Sequence, residues 1–135
     1  RCGQSGWSEA SVGEKRQMHT IIPGMVAKGG KEIMPFGVMG GQYQAAGHAR
    51  FLSNVVDFGL SPQEAIDAPR SFAGTGALPV ERGYPDAVRA ELAATGHNVI
   101  VPETPIGGAQ AILIDDSGVL QGGSDPRKDG CALGY

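Results

Sequence analysis

Two apolar runs open the patterned part of the chain, Ile21–Val26 and Ile33–Met39, and Lys28-Gly29-Gly30-Lys31 stands between them. A glycine pair supplies the left-handed backbone of a tight hairpin turn, so the pattern predicts a β-hairpin with strands of roughly 20–27 and 32–38. Neither run alternates cleanly, and near-continuous apolar character marks strands covered on both faces. Gly40-Gly41 ends the second strand and the period then changes. Ala45, Ala49, Leu52 and Val56 recur on one helical face, with Phe51, Val55 and Phe58 beside them, and Gly59 is placed to stop the helix. Ser61-Pro62-Gln63-Glu64 joins a capping box to a proline at the first helical position, which predicts a second helix ending before Pro69. Residues 70–82 alternate weakly, with a short strand around Leu78–Glu81. A third helix is expected over Pro85–Thr95, with Val88 and Leu92 four apart and Gly96 as its stop. Asn98–Val101 reads as a short strand, and residues 109–114 and 118–123 flank Asp115-Asp116-Ser117-Gly118 as a second hairpin. Strands, then helices, then strands give an α+β fold with antiparallel hairpins. Residues 1–17 are polar and Gly/Ser-rich, without a period of 2 or 3.6, and read as a flexible N-terminal segment ahead of one domain over 18–135.

Composition adjusts this picture in two places. There are 22 glycines among 135 residues, about twice the usual ~7%, scattered without a G-X-Y period, which implies many tight turns and close backbone approaches. The net charge of −3 provides no basic stripe for phosphates, so no nucleic-acid partner is expected. No segment reaches the roughly 20 apolar residues needed to span a bilayer, so a soluble chain with no membrane partner is expected. The compartment stays open between cytoplasm and periplasm or export. Cys2 and Cys131 lie at opposite ends with no C-x-x-C pair, so two free thiols are expected, with one disulfide joining the ends as the alternative. Neither a metal nor a cofactor is expected: His48 and His97 form no pair with another ligand type at helical spacing, and each reads as structural or solvated.

The feature with most chemical content is Gly37-Val38-Met39-Gly40-Gly41-Gln42, a strand that runs through two glycines into a helix. Such a turn can aim successive N–H groups at one point, where the helix N-terminus adds positive partial charge, a site for an oxyanion or carboxylate. The same pattern also makes a plain strand-to-helix turn with no ligand. His19-Thr20, ahead of the first strand, offers a ring nitrogen and a hydroxyl to a substrate or simply to the neighbouring backbone. In Ser124-Asp125-Pro126-Arg127 the acid and the base read as a structural pair. No Ser-His-Asp order and no G-x-S-x-G elbow is present.

Taken together, these segments resemble the γ-glutamyltransferase (glutathione hydrolase) family. Lys15-Arg16-Gln17-Met18-His19-Thr20-Ile21-Ile22-Pro23 is similar to the segment before the family's substrate-binding strand, and Gly37 through Gln42 resembles its oxyanion-hole glycines. VVDFGLSPQEAIDAPR (Val55–Arg70) is similar to the helix-turn-helix that follows, and GGAQAILI (Gly107–Ile114) and GGSDPRKDGCALGY (Gly122–Tyr135) resemble the end of the small subunit. The resemblance covers nearly everything from Lys15 onward. It implies an N-terminal-nucleophile hydrolase fold, an αββα sandwich of antiparallel sheets, of which residues 18–135 are the C-terminal part of the small-subunit domain. It also implies a precursor that cuts itself in two, so that the partners of this chain are the remainder of the small subunit and the large subunit. The freed threonine attacks the γ-glutamyl amide of a small molecule such as glutathione. The acyl group then passes to water or an amine, with the Gly40 and Gly41 N–H groups on the oxyanion. His19 and Thr20 stand where many members have a serine pair against the substrate's α-carboxyl end.

The threonine belongs upstream of Lys15, and Arg1 carries neither hydroxyl nor thiol, so the 135 residues alone are expected to be inactive. They are also expected to expose an apolar sheet face and to self-associate through it. A related glutaryl-amide acylase is the nearest alternative. A non-catalytic anion-binding or scaffold module of the same fold is the other.

Overall fold

The computed structural model describes residues 22–134. Strands β1 (Gly24–Lys28) and β2 (Lys31–Met39) form the first hairpin, and a 3-10 turn (Gly41–Tyr43) leads into helix α1 (Gln44–Val56). Helix α2 (Pro62–Asp67), strand β3 (Leu78–Pro79), helix α3 (Asp86–Ala94) and strand β4 (Val99–Ile100) follow. The second hairpin, β5 (Gly108–Ile114) and β6 (Leu120–Ser124), precedes a 3-10 turn at Pro126–Lys128. The two hairpins join into one four-stranded antiparallel sheet of order β1-β2-β5-β6, while β3 and β4 form a separate parallel pair. Gly29 and Gly30, with φ of 60° and 81°, make the first hairpin's turn, the positive-φ pair that matches the twist of its strands.

Helices α1 and α2 pack on one face of the sheet. Met34, Phe36 and Val38 of β2 and Ala109 and Ala111 of β5 meet Tyr43, Phe51, Ala65 and Ile66 there, and Phe36 stacks on Phe51 at 5.2 Å. Truncating a ring so placed costs about 3–5 kcal/mol. The expected second cover is absent from the described residues. Burial alternates along β2, and on the outer face Met25, Ile112 and Leu120 are 55%, 43% and 64% exposed. The long apolar runs therefore supply two apolar faces, of which the described chain buries one.

α1 corrects the sequence reading in its rotation. Ala45, Ala49 and Val56 face solvent, and the buried stripe is Gln44, Gly47, Phe51 and Asn54. Hydropathy misses this face because its residues pack by closeness and by polar ties. A side chain on Gly47 would stand 2.6 Å from Val38 and 2.7 Å from the Tyr43 ring, and the Asn54 amide donates to the Ala65 carbonyl at 3.3 Å. α2 starts as predicted: the Glu64 N–H donates to Ser61 Oγ at 3.3 Å, and the Ser61 N–H donates to Glu64 Oε2 at 2.9 Å, with Pro62 in the first turn.

The inner strands outrun the outer ones at one end of the sheet. β1 stops pairing at Gly24↔Phe36 and β6 at Gln110↔Ser124, while β2 and β5 stay paired through Val38↔Ala109 and Met39↔Gly108. That two-strand extension carries the Gly40-Gly41 turn.

Candidate active site at the Gly40-Gly41 turn

Gly40 has φ 137° and ψ 26°, and Gly41 has φ 57°, so both lie where side chains are disfavoured. The two are not equivalent. A Cβ on Gly40 would sit 3.0 Å from the Gly107 Cα, whereas a Cβ on Gly41 would meet no atom of the described residues within 4 Å. Gly40 is glycine for backbone packing, and Gly41 faces open space. The Gly40 carbonyl accepts from the Tyr43 N–H at 3.1 Å, but no carbonyl of the described residues accepts from the N–H of Gly40 or Gly41. Two exposed, uncommitted N–H groups at the start of a helical run are what a developing oxyanion requires.

The turn is held from beneath. Gly107, φ 64°, lies so close that a Cβ on it would stand 2.5 Å from the Met39 carbonyl and 2.7 Å from the Tyr43 ring. Tyr43 is 3% exposed, packs edge-on against Phe72 at 5.5 Å, and has Arg70 6.0 Å from its ring centroid. Burial raises its phenol pKa, opposed by Arg70 and other nearby cations.

Behind Gly107 lies a four-membered ionic network. Arg70 donates to Asp125 Oδ2 at 2.6 Å, to the Ile106 carbonyl at 2.8 Å and to the Ile66 carbonyl at 3.1 Å. Asp125, with no exposed side chain, also accepts the Ala109 N–H at 2.7 Å, and its other oxygen faces Arg127 at 3.3 Å. Arg127 reaches Glu81 through two nitrogens at 2.8 and 3.2 Å, and Glu81 accepts the Arg70 N–H at 2.9 Å and the Ile106 N–H at 3.0 Å. Burial alone would raise both carboxyls. For Glu81 the Arg127 hydrogen bond and the Ile106 and Arg70 N–H groups prevail, and for Asp125 the Arg127 N–H, Arg70 and the Ala109 N–H do, so both lie below the usual carboxylate range. Burial lowers and Glu81 and Asp125 raise the Arg127 guanidinium, with a net rise. The network ties the end of α2, the segment after β3, the approach to β5 and the exit of β6 to one point. It holds both backbone groups of Ile106, the residue before the Gly107 on which the glycine turn packs.

Of the residues singled out from the sequence, the structure therefore gives Gly40 and Gly41 an exposed, rigidly backed turn. His19 and Thr20 lie outside the described residues. The expected Asp125–Arg127 pair forms, but Asp125's shortest tie is to Arg70, and with Glu81 that role was not foreseen. The one available signal was a charged residue set among apolar neighbours, as in Ala68-Pro69-Arg70-Ser71-Phe72 and Leu78-Pro79-Val80-Glu81. His97 is exposed, and His48 is structural, accepting the Val38 N–H on Nε2 at 3.0 Å.

Comparison with known proteins agrees with this architecture. The family model described as gamma-glutamyltranspeptidase matches residues 8–135. The glutathione hydrolase-like YwrD proenzyme of Bacillus subtilis is 39% identical over 129 residues, covering 89% of this chain and 25% of the relative. Cephalosporin acylase from Bacillus halodurans superposes with a TM-score of 0.78 at 42% identity, over 89% of this chain and 24% of that one. The T380A mutant of Helicobacter pylori gamma-glutamyltranspeptidase gives a TM-score of 0.75 at 28% identity, over 84% of this chain and 64% of that one. The chain thus spans about a quarter of the length of the curated relatives it matches. Its sheet with one helical layer is part of the N-terminal-nucleophile hydrolase fold of these neighbours. With the glycine turn, the capped helix after it and the Asp125-Pro126-Arg127 corner falling within one match to the family model, the chain belongs to the γ-glutamyltranspeptidase family.

Proposed function

We propose that the complete protein cleaves γ-glutamyl amides such as glutathione through an acyl-enzyme, with the turn at Gly40 and Gly41 as its oxyanion hole. The nucleophile is an N-terminal threonine outside these 135 residues. Its hydroxyl attacks the amide carbon, its own amine takes the proton, and the C–N bond breaks as that proton passes to the departing amine. Water or an acceptor amine then releases the acyl group. At both stages negative charge builds on the former carbonyl oxygen, which the N–H groups of Gly40 and Gly41 meet. His19 and Thr20 bind the α-carboxyl end of the substrate. The remainder of the small subunit and the large subunit complete the site, covering the sheet face that carries Met25, Ile112 and Leu120. The observation that supports the reading most is the pair of N–H groups, on two exposed glycines of a backed turn, that no carbonyl of the described residues accepts. A second reading, a glutaryl-amide acylase with the same chemistry, draws support from the 42% identity to cephalosporin acylase.

The test uses the full-length, self-processed protein with γ-glutamyl and glutaryl anilides as competing donors. Faster acylation by the γ-glutamyl donor supports the first reading, and the reverse order supports the second. Gly41→Ala meets no atom of the described residues but puts a methyl where the acyl group would approach. By holding the substrate off the N–H donors it should slow single-turnover acylation on the order of 10²–10³-fold, as when one oxyanion donor is lost. Its cost in stability should be about 1–2 kcal/mol, from the left-handed backbone. Reduced stability with a normal acylation rate would remove the oxyanion hole from the account.

A further inference from the structure

The two-strand extension beneath the glycine turn leaves two backbone N–H groups without a strand of the described residues to pair with. In the Val38↔Ala109 row each N–H points away from the other strand: β1 has ended on Val38's side and β6 on Ala109's. Both are satisfied by side chains. The Ala109 N–H donates to Asp125 at 2.7 Å, and the Val38 N–H donates to His48 Nε2 at 3.0 Å. The row stands two residues before Gly40, so an imidazole on one side and a carboxylate on the other close the base of the turn.

Of the two caps, the imidazole is the one whose ordinary titration range lies near neutrality. An imidazole accepts on Nε2 only when neutral with its proton on Nδ1, and protonation would set an N–H against the Val38 N–H. The surroundings favour the neutral form, since burial lowers the His48 pKa and the Phe36 ring lies edge-on at 4.9 Å. The charged groups of the packed elements act elsewhere: Asp57, just past the end of α1, accepts from Ser53, and on α2 Glu64 accepts from Ser61 and Asp67 from Gln63. Arg50, on the same helix, lies over Tyr84, and Lys28 of β1 and Lys31 and Glu32 of β2 sit at the hairpin tip, about 20 Å along the strand. Asp125, across the row at about two strand spacings or ~10 Å, is held by Arg70 and Arg127.

We propose that His48 is a positioning residue for the oxyanion turn: its neutral ring holds the end of β2, and its protonation frees Val38 and slackens the turn that Gly40 and Gly41 form. This rests on the proposed function for its catalytic consequence, but not for its structural one. Because the neutral form is favoured on folding, the tie is fully present above the unfolded imidazole's value of about 6.5 and is lost as pH falls through the folded value.

The experiment compares the full-length, processed wild type with His48→Gln, whose amide oxygen can accept at any pH, and His48→Leu, which cannot accept. Amide hydrogen exchange over residues 38–43, corrected for intrinsic rates, is followed from about pH 8 to about pH 5 beside single-turnover acylation of a γ-glutamyl anilide. A buried N–H left unpaired costs roughly 1–3 kcal/mol, so exchange in the wild type should quicken about tenfold or more on the acid side. His48→Gln should stay protected throughout. His48→Leu should be unprotected throughout, with kcat reduced and KM unchanged. Wild-type and His48→Leu exchange with the same pH dependence would overturn the proposal, as would an acid-side quickening that persists in His48→Gln. If exchange follows the expected pattern but no variant cleaves the anilide, the positioning role stands and the proposed reaction falls.

Discussion

Replacing Arg70 with methionine removes the centre of the ionic network while keeping a chain of similar length. Three hydrogen bonds go, to Asp125 at 2.6 Å, Ile106 at 2.8 Å and Ile66 at 3.1 Å, and the Asp125 carboxylate stays fully buried. Breaking a buried pair by deleting one partner costs about 3–5 kcal/mol, chiefly because the remaining charge has lost its counter-ion. Here Arg127 still stands 3.3 Å from Asp125 and the Ala109 N–H at 2.7 Å, which places the expected loss near ~3 kcal/mol. Arg70→Lys should recover little, since one ammonium cannot reach the three acceptors that two guanidinium nitrogens share. Asp125→Asn keeps volume and an acceptor while removing the charge. Combined with Arg70→Met it should cost less than the sum of the single changes by more than about 1 kcal/mol. Equilibrium urea unfolding of the full-length protein measures all four variants. A loss below about 1 kcal/mol for Arg70→Met, or strict additivity in the double variant, would refute a coupled buried network.

Further outcomes follow from the same contacts. Ser61→Ala removes the α2 cap and should destabilise by about 1 kcal/mol, read as a fall in Tm, with Ser61→Gly costing less. Gly47→Val drives a side chain into Val38 and Tyr43 and should cost at least about 1–3 kcal/mol, visible as a lower urea midpoint. Because Asp125 and Glu81 are held below their unfolded values, their contribution is complete above about pH 4 and drains away as pH falls through their folded values. Acid unfolding of Asp125→Asn should accordingly be less steep than that of the wild type. The isolated 135-residue chain, with Met25, Ile112 and Leu120 exposed, should bind an apolar dye and self-associate; a dye-silent monomer at high concentration would count against this.

What could be read from the sequence was what local chemistry decides. The Lys28–Lys31 turn, the Ser61–Glu64 capping box and the stop at Gly96 each rest on a few adjacent residues, and each stands where it was expected. The face of α1 could not be read that way, because Gly47 is buried for the closeness it permits and Asn54 for the carbonyl it reaches, neither of which registers as hydropathy. The ionic network was hidden for another reason. Arg70 and Asp125 are 55 positions apart, and only the sheet order, which brings the β6 exit beside the end of α2, makes them neighbours. Gly40 and Gly41 stood out as a pair, yet their division into a packing glycine and an open one appears only once Gly107 is placed beneath the turn.

In the proposed reaction the N–H groups of Gly40 and Gly41 receive the charge that develops on the substrate oxygen. The most direct measurement is a crystal structure of the complete enzyme with a γ-glutamyl analogue trapped covalently on its nucleophile as a tetrahedral adduct. The adduct oxygen should lie about 2.7–3.1 Å from both nitrogens. An adduct oxygen held by other donors, with Gly40 and Gly41 beyond hydrogen-bonding reach, would contradict it.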